Sequence, residues 1–369
     1  DDDDCDGVVD NGNSLDGCGE CDDSSFTDCI VDYEVDIHDG SNLVSFHALP
    51  LDADHSVSTI FNGTDAVIGQ GVGAVYVNGG WIGSLTSVSQ DDGYWVKVSA
   101  ATTLAHADAD PVSYDADGDV VYNNHVGNNL ISYPFTSSQD VGTALGDAAD
   151  YVYAIAGEGV AALWSNDADG WVGSLIAFES GNGYWLVATE DFSFSFNGTS
   201  DGLSRQIAPR VVPESYSYIQ SDQQAFYFVN SAAVRGEALT SEDVIIAYNG
   251  DQVVGSRYWN GELTDIPAIG VDSEGSEMFK DYCEVGDKVS FKVLDASTNQ
   301  LVDMETDGDI EWTNMGISVI NLTDVFLPTE VSLSNAYPNP FNPVTMLSYD
   351  VPSDMAISMG VYDVRGRLV

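Results

Sequence analysis

The chain has 369 residues, with 60 acidic side chains against ten basic ones, a formal net charge of −50 and an isoelectric point near 4.1. Such a field repels nucleic acid and anionic membrane, both of which need Lys and Arg to meet their phosphates. At 44% hydrophobic and 11% aromatic the sequence is not a disordered acidic tail, and no apolar run is long enough to span a bilayer.

The length suits two to four domains, each able to bury its own core. Up to Ser204 there are thirty-five acids and one base, Lys97. Residues 1–31 are rich in Asp, Gly and Cys and too poor in apolar side chains to make a core, so metal, disulfides or neighbours must hold them. Cys5, Cys18, Cys21 and Cys29 cluster there and read as disulfide candidates in an oxidising compartment. A zinc knuckle at Cys18 and Cys21 is the alternative, disfavoured by the surrounding carboxylates. Cys283 stands apart, either buried or paired outside the chain. With no basic start or apolar segment at Asp1 to Asp4, either a leader has been removed or the chain begins inside a longer precursor.

An internal duplication follows. Gly40-Ser-Asn-Leu-Val-Ser-Phe46 returns as Gly127-Asn-Asn-Leu-Ile-Ser-Tyr133, and Gly71-Val-Gly-Ala-Val75 as Gly159-Val-Ala-Ala-Leu163. Trp81-Ile-Gly-Ser-Leu85 returns as Trp171-Val-Gly-Ser-Leu175, and Asp92-Gly-Tyr-Trp-Val96 as Asn182-Gly-Tyr-Trp-Leu186. The offsets of 87, 88, 90 and 90 keep their order, which gives two sibling β domains, 32–124 and 125–204. Short apolar runs bounded by Gly, Asn and Asp predict strands, among them Ala74 to Val77, Tyr94 to Val98 and Tyr184 to Val187. One short helix per copy is the limit; the candidate is Asp140 to Ala149, with Asp140 as its cap. Asp- and Gly-rich stretches at 101–124 and 197–204 read as linkers. A third β domain, 205–327, carries strands at Phe226 to Val229, Val244 to Tyr248 and Val289 to Leu294, with a hairpin signal at Asn249-Gly250. In the tail, 328–369, a Pro-punctuated turn precedes alternating strands at Thr345 to Tyr349 and Ile357 to Tyr362. The fold class is therefore all-β: tandem β-sandwich-like domains.

Two segments resemble known families. Leu333-Ser-Asn-Ala-Tyr-Pro-Asn-Pro-Phe-Asn-Pro343 and Val361-Tyr-Asp-Val-Arg-Gly-Arg-Leu368 resemble the type A C-terminal sorting domain of bacterial type IX secretion cargo. That resemblance implies export across the outer membrane to the cell surface or medium. The family continues with further strands beyond the point matching Val369, so an unpaired sheet edge is expected there. Asp2-x-Asp4-x-Asp6-Gly7-x-x-Asp10 is similar to the calcium loop of thrombospondin type 3 repeats; its alternating carboxylates on a Gly turn make Asp2, Asp4, Asp6 and Asp10 the expected calcium ligands. Partial echoes at Asp115, at Asp167 and at Asp303-x-Glu305-x-Asp307 read as solvated Asp-Gly turns. The repeat pair and the third domain are similar to modules of large surface proteins that carry such tails, which implies no defined activity.

No HExxH, GxSxG or P-loop occurs, and an enzyme is not expected. Gly69-x-Gly71-x-Gly73 lacks dinucleotide-loop spacing, and its sibling places Glu158 where a phosphate would be repelled, so it reads as a sheet-packing run. His38, His47, His55, His106 and His125 form no pair at metal-ligand spacing. Asn62, Asn197 and Asn321 head Asn-x-Thr sequons and are candidate glycosylation sites, read first as surface turns. The expected function is a non-catalytic extracellular structural protein that assembles with copies of itself into a filament or surface layer by β-strand pairing. The alternatives are a carbohydrate-binding adhesin using Trp81, Trp171 or the Gly-Tyr-Trp aromatics, and the non-catalytic end of a larger secreted hydrolase.

Overall fold

The computed structural model describes residues 31–50, 54–111, 120–198, 210–324, 331–337, 340, 343–347, 349–351, 356–363 and 365–368. The chain divides into two compact units, Asp1–Thr323 and Asp324–Val369. Within the first, the strands fall into three groups of sheets, taken as three modules; the second is the tail. The fold is all-β, with only short helical turns.

The first copy begins with β1 (Val31–Ile37), β2 (Gly40–Ser45), β3 (Ala48–Pro50) and the one-turn helix α1 (Val57–Ile60). It continues with β4 (Ala66–Gly69), β5 (Val72–Val77), β6 (Gly80–Gly83), β7 (Gly93–Val98) and β8 (Thr102–Pro111). A five-stranded sheet runs β2-β7-β4-β5-β6, and a three-stranded sheet runs β1-β8-β3. Between them lie Tyr33, Phe46, Phe61, Val67, Tyr94 and Val96, buried in one cluster. Here the sequence reading fails at one point: the first ten residues of the expected linker 101–124 that follow Ala101 form β8, which pairs with both β1 and β3. Its Asp-rich, small-residue character hid a half-buried strand whose inward positions are Leu104 and Ala109.

The second copy repeats the plan. It comprises β9 (Tyr122–Asn124), β10 (Gly127–Ile131), β11 (Gln139–Asp140) and α2 (Val141–Leu145), which tightens into a 3-10 turn, Gly146–Tyr151. Then come β12 (Val152–Ala156), β13 (Ala161–Ser165), β14 (Gly170–Gly173), β15 (Ala177–Phe178), β16 (Tyr184–Ala188) and β17 (Phe192–Phe194). Its sheet runs β10-β16-β12-β13-β14, the same order strand for strand as in the first copy. Asp140 caps α2 as expected, accepting the Thr143 N–H at 3.0 Å. The Gly-Tyr-Trp motif is explained by burial. Tyr94 accepts the Ser89 N–H and Tyr184 the Glu179 N–H, so each inward tyrosine is satisfied in the core.

The third module contains β18 (Gln224–Val234), β19 (Glu237–Ala238), β20 (Val244–Asn249), β21 (Gln252–Tyr258) and β22 (Thr264–Ile269). It ends with β23 (Ser290–Asp295), β24 (Gln300–Asp307) and β25 (Ile317–Asp324). One sheet runs β19-β18-β25-β24-β23-β20-β21, with β22 pairing β18 and a parallel β18–β25 pair. The sheet curls until β21 meets β22: a Cβ on Gly255 would lie 1.7 Å from the Pro267 carbonyl oxygen, so only glycine fits the seam. In the β20–β21 hairpin the two turn residues are Gly250-Asp251, Asn249 pairing with Gln252, and Gly250 takes the positive φ of 58°.

In the tail unit, β26 (Ser332–Leu333) pairs β27 (Tyr349–Asp350), and Tyr337 bridges Met346. The expected strands at Thr345 to Tyr349 and Ile357 to Tyr362 are reduced to these short contacts and a Tyr362–Leu368 bridge. Alternation makes a strand only where a neighbour supplies a ladder, and 356–361 have none among the described residues.

The two copies meet through reciprocal contacts, the signature of a two-fold related pair. Val44 bridges Asn182 while Ile131 bridges Asp92, and Ser45 N–H donates to Gly181 O while Ser132 N–H donates to Asp91 O. Leu43, Trp95 and Leu130 form the buried centre, with Ile68 and Trp185 against it. Gly93 and Gly183, the glycines of the repeated Gly-Tyr-Trp, sit where the backbones cross. A Cβ on Gly183 would lie 2.7 Å from Val44 O, and one on Gly93 2.8 Å from Ile131 O. Gly183→Ala is expected to lower stability by about 1–3 kcal/mol, since the obstructing atoms are backbone, and an unchanged urea midpoint would contradict the contact.

Candidate functional site

The region where most side-chain chemistry converges is a cleft of about 1010 Å³ where all three modules of the first unit meet, reached by His38 and Lys97 from the first copy, Glu158 from the second and Arg257 from the third. It is organised by two equivalent hairpin turns. Gln70-Gly71 joins β4 to β5, and Glu158-Gly159 joins β12 to β13; Gly71 and Gly159 have φ of 71° and 63°, the second-position conformation that calls for glycine. In the glycine run of the sequence Gly71 is thus turn chemistry, Gly69 and Gly73 lie on β4 and β5, and Gln70 is a reaching side chain.

Each reaching side chain grips the opposite copy. Glu158 Oε2 accepts the Leu43 N–H at 3.0 Å, and Gln70 Oε1 accepts the Leu130 N–H at 2.8 Å. Each also meets a histidine, His38 Nε2 at 2.5 Å from Glu158 Oε1 and His125 Nε2 at 2.8 Å from Gln70 Nε2. The histidines are held alike. Asn42 Oδ1 takes the His38 N–H and Asn42 Nδ2 donates to His38 O, and Asn129 does the same for His125. His38 and His125 lie 87 residues apart, the offset of the first repeat block, which is the one sequence signal that could have paired them.

The chemistry of the two grips differs. His38 Nδ1 lies 2.7 Å from Asp39 O and its Nε2 faces a carboxylate, so both ring nitrogens must donate and the ring is an imidazolium. His125 Nδ1 donates to Val126 O while Nε2 accepts from the Gln70 amide, which is the neutral ring. The hydrogen bond to Glu158, against the cost of partial burial, raises His38 to about 9.

The same turn binds the third module through its backbone. Gln224, fully buried, donates to Gly157 O and accepts from Gly159 N–H; Arg257 Nη2 donates to Gly159 O at 2.6 Å. Asp265, also buried, accepts from Ser174 N–H, Ser174 Oγ and Ala161 N–H and pairs with Arg257 at 3.2 Å. Burial pushes the Asp265 carboxyl up, and Arg257 works against that push. Such a pair is kept in place by its extra hydrogen bonds, since its own Coulomb gain is largely cancelled by desolvation.

Lys97, the lone base before Arg205, reaches Asp272 at 2.6 Å, Glu274 at 2.8 Å and Ser276 Oγ at 3.1 Å. Burial works against its charge, yet the bonds to the two carboxylates prevail and its pKa is raised; Asp272, desolvated but bonded to Lys97 and Ser276, is held low. Its sibling position is Val187, which packs against the apolar cluster of Phe226 and Phe228. Every cation in the cleft is therefore matched to a carboxylate: Lys97 and Arg257 as above, and Arg210 to Glu242 at 3.1 Å while stacked on Tyr258. The arrangement holds modules together.

The sequence candidates fall as follows. Asp2, Asp4, Asp6, Asp10, Cys5, Cys18, Cys21 and Cys29 lie outside the described residues, as does Asp115-x-Asp117. Among the described residues no group of three or more His, Cys, Asp or Glu converges as a cation site. Asp303, Glu305 and Asp307 stand on β24, where same-face residues are roughly 7 Å apart and do not share an ion, and Asp303 pairs with Lys292. They form a strand, not the Asp-Gly turn expected. Cys283 is a buried thiol pushed up to about 12 by burial. Asn62 is exposed beyond α1, whereas Asn197 donates to Thr143 O and Asn321 accepts from Ser231 Oγ. Tyr94, Trp95 and Tyr184 are buried, and Trp81 and Trp171 pack against the two repeat cores. Compared with known proteins, the chain matches no family model, no curated protein and no solved structure.

A raised pKa in the folded state stabilises below the unfolded value and stops doing so as pH climbs through the folded one. His38 thus contributes fully below its ordinary 6.5 and loses that contribution as pH passes about 9. NMR titration should find His38 near 9 and, in Glu158→Gln, back toward the ordinary value; an ordinary His38 in the parent chain would contradict the pairing.

Proposed function

We propose that this chain is a non-catalytic structural protein of a bacterial surface, exported by the type IX route and assembling with copies of itself into a filament or layer. The observation that supports it best is the use of charge at the three-module cleft. Lys97, His38 and Arg257 are each spent on a carboxylate or carbonyl of another module, so the cleft serves cohesion. A load-bearing subunit needs such cross-linking between modules, because interfaces within a chain otherwise permit relative motion. The excess of carboxylate elsewhere suits a protein working in salt, where screening limits self-repulsion.

Electron microscopy of the full chain, concentrated in high salt, is expected to show filaments or sheets; a strictly monomeric protein under those conditions would sink this reading. Calcium enters the proposal at Asp2, Asp4, Asp6 and Asp10, with the neighbouring cysteines as disulfides. Chelation by EDTA should lower the melting temperature and expose residues 1–31 to protease, and an unaltered melt and digest would remove the calcium assignment.

Glycan binding remains a second reading at a different place from that expected. A pocket of about 350 Å³ is lined by Tyr258, Trp259, Asn260, Glu262 and Arg210, which combine aromatic faces with polar groups suited to a sugar ring.

A further inference from the structure

The outer faces of the two repeat sheets are siblings with different fates. On the second copy Ala154, Ala156, Leu163 and Val172 lie under Phe226, Phe228 and Met315 of the third module. The matching positions on the first copy are Ala66, Ile68, Val75 and Ile82, with Ala66 opposite Val75 and Val75 opposite Ile82. Among the described residues the third module reaches this face at the Lys97 end, through the bonds of Lys97 to Asp272 and Glu274. At the other end Val75 is 38% and Ile82 63% exposed, and Val77 on the same hairpin is 41% exposed. Two faces derived from one ancestor thus carry the same apolar positions, and one of them is uncovered beside an existing interface.

The tail unit carries a surface of the kind that covers the second copy. Tyr337 and Met346 bond to each other through both backbone pairs, at 3.0 and 2.9 Å, so their side chains stand together on one face. They are 76% and 70% exposed, with Val344 beside them in sequence. An aromatic ring with a methionine is the chemistry that Phe228 and Met315 bring to Leu163 and Val172. Apolar patches open on both surfaces are what a monomer rarely leaves to water.

We propose that the Val75–Ile82 face of one copy is covered by the Tyr337–Met346 face of the tail unit of a second copy. The contact joins two different surfaces, so it repeats head to tail and extends into a filament unless it closes into a ring. It rests on the self-assembly proposed above and names the surfaces responsible. With −50 on each copy, association strengthens as salt screens the repulsion.

The test uses two full-length variants, Ile82→Asp and Met346→Asp, at exposed positions whose substitution leaves the thermal melt unchanged, studied by sedimentation velocity at about 0.5 M salt, where the Debye length is only a few ångström. The parent chain is expected to form oligomers that grow with concentration, and each variant alone to remain monomeric. An equimolar mixture should give a one-to-one dimer that does not grow, because each variant retains one intact surface. Oligomers of the parent that persist in Ile82→Asp, or a mixture that stays monomeric, would overturn this pairing while leaving assembly standing. A parent chain that stays monomeric throughout would overturn both.

Discussion

The turn from Gly157 to Val160 is the constraint on which the first unit depends. Its one side chain of reach, Glu158, goes to the first copy, while its backbone groups and those of Ala161 go to Gln224, Arg257 and Asp265 in the third module. This four-residue hairpin serves two partners because Glu158 reaches one way while the Gly157 carbonyl and both peptide groups of Gly159 are left for the other. Glycine at 159 is required by φ, and any side chain there would crowd Gln220 and Tyr218. Three modules that would otherwise meet as loosely held neighbours share one small set of bonds.

Duplication supplied the geometry and divergence supplied the asymmetry. Gln70 and Glu158 occupy equivalent turns and make equivalent bonds to leucine amides, yet one faces a neutral imidazole and the other an imidazolium. Lys97 and Val187 occupy equivalent positions on the outer sheet faces, where the first meets a carboxylate loop of the third module and the second an aromatic strand. The third module therefore lies across a nearly symmetric pair without obeying its symmetry. Burying Leu43, Leu130 and the tryptophans between the copies contributes on the order of 1.5–3 kcal/mol per side chain, and the polar grips fix the register.

What the sequence reveals and hides follows from range. The duplication, the Asp140 cap, the strands at Tyr94, Tyr184 and Phe226 and the hairpin turn at Gly250 depend on neighbouring residues, and all were readable. β8 was hidden because Ala and Asp alternation resembles a linker until β1 and β3 lie on both sides of it. The cleft was hidden because its partners are far apart in sequence, 120 residues for His38 and Glu158 and 175 for Lys97 and Asp272: Glu158 looked like a flaw in a phosphate loop, and His38 like a histidine without a partner. In the tail, alternation promised strands that need neighbours to form.

In this all-β chain Lys97, His38 and Arg257 tie modules together, and the open apolar faces lie outside that junction. The most direct measurement is hydrogen exchange followed by mass spectrometry on the full chain in rising denaturant. Peptides from β2, β10 and β18 should lose protection at one common denaturant concentration, because the Gly157–Val160 turn couples all three sheets. Release of any one of them at clearly lower denaturant, with the other two still protected, would contradict the account.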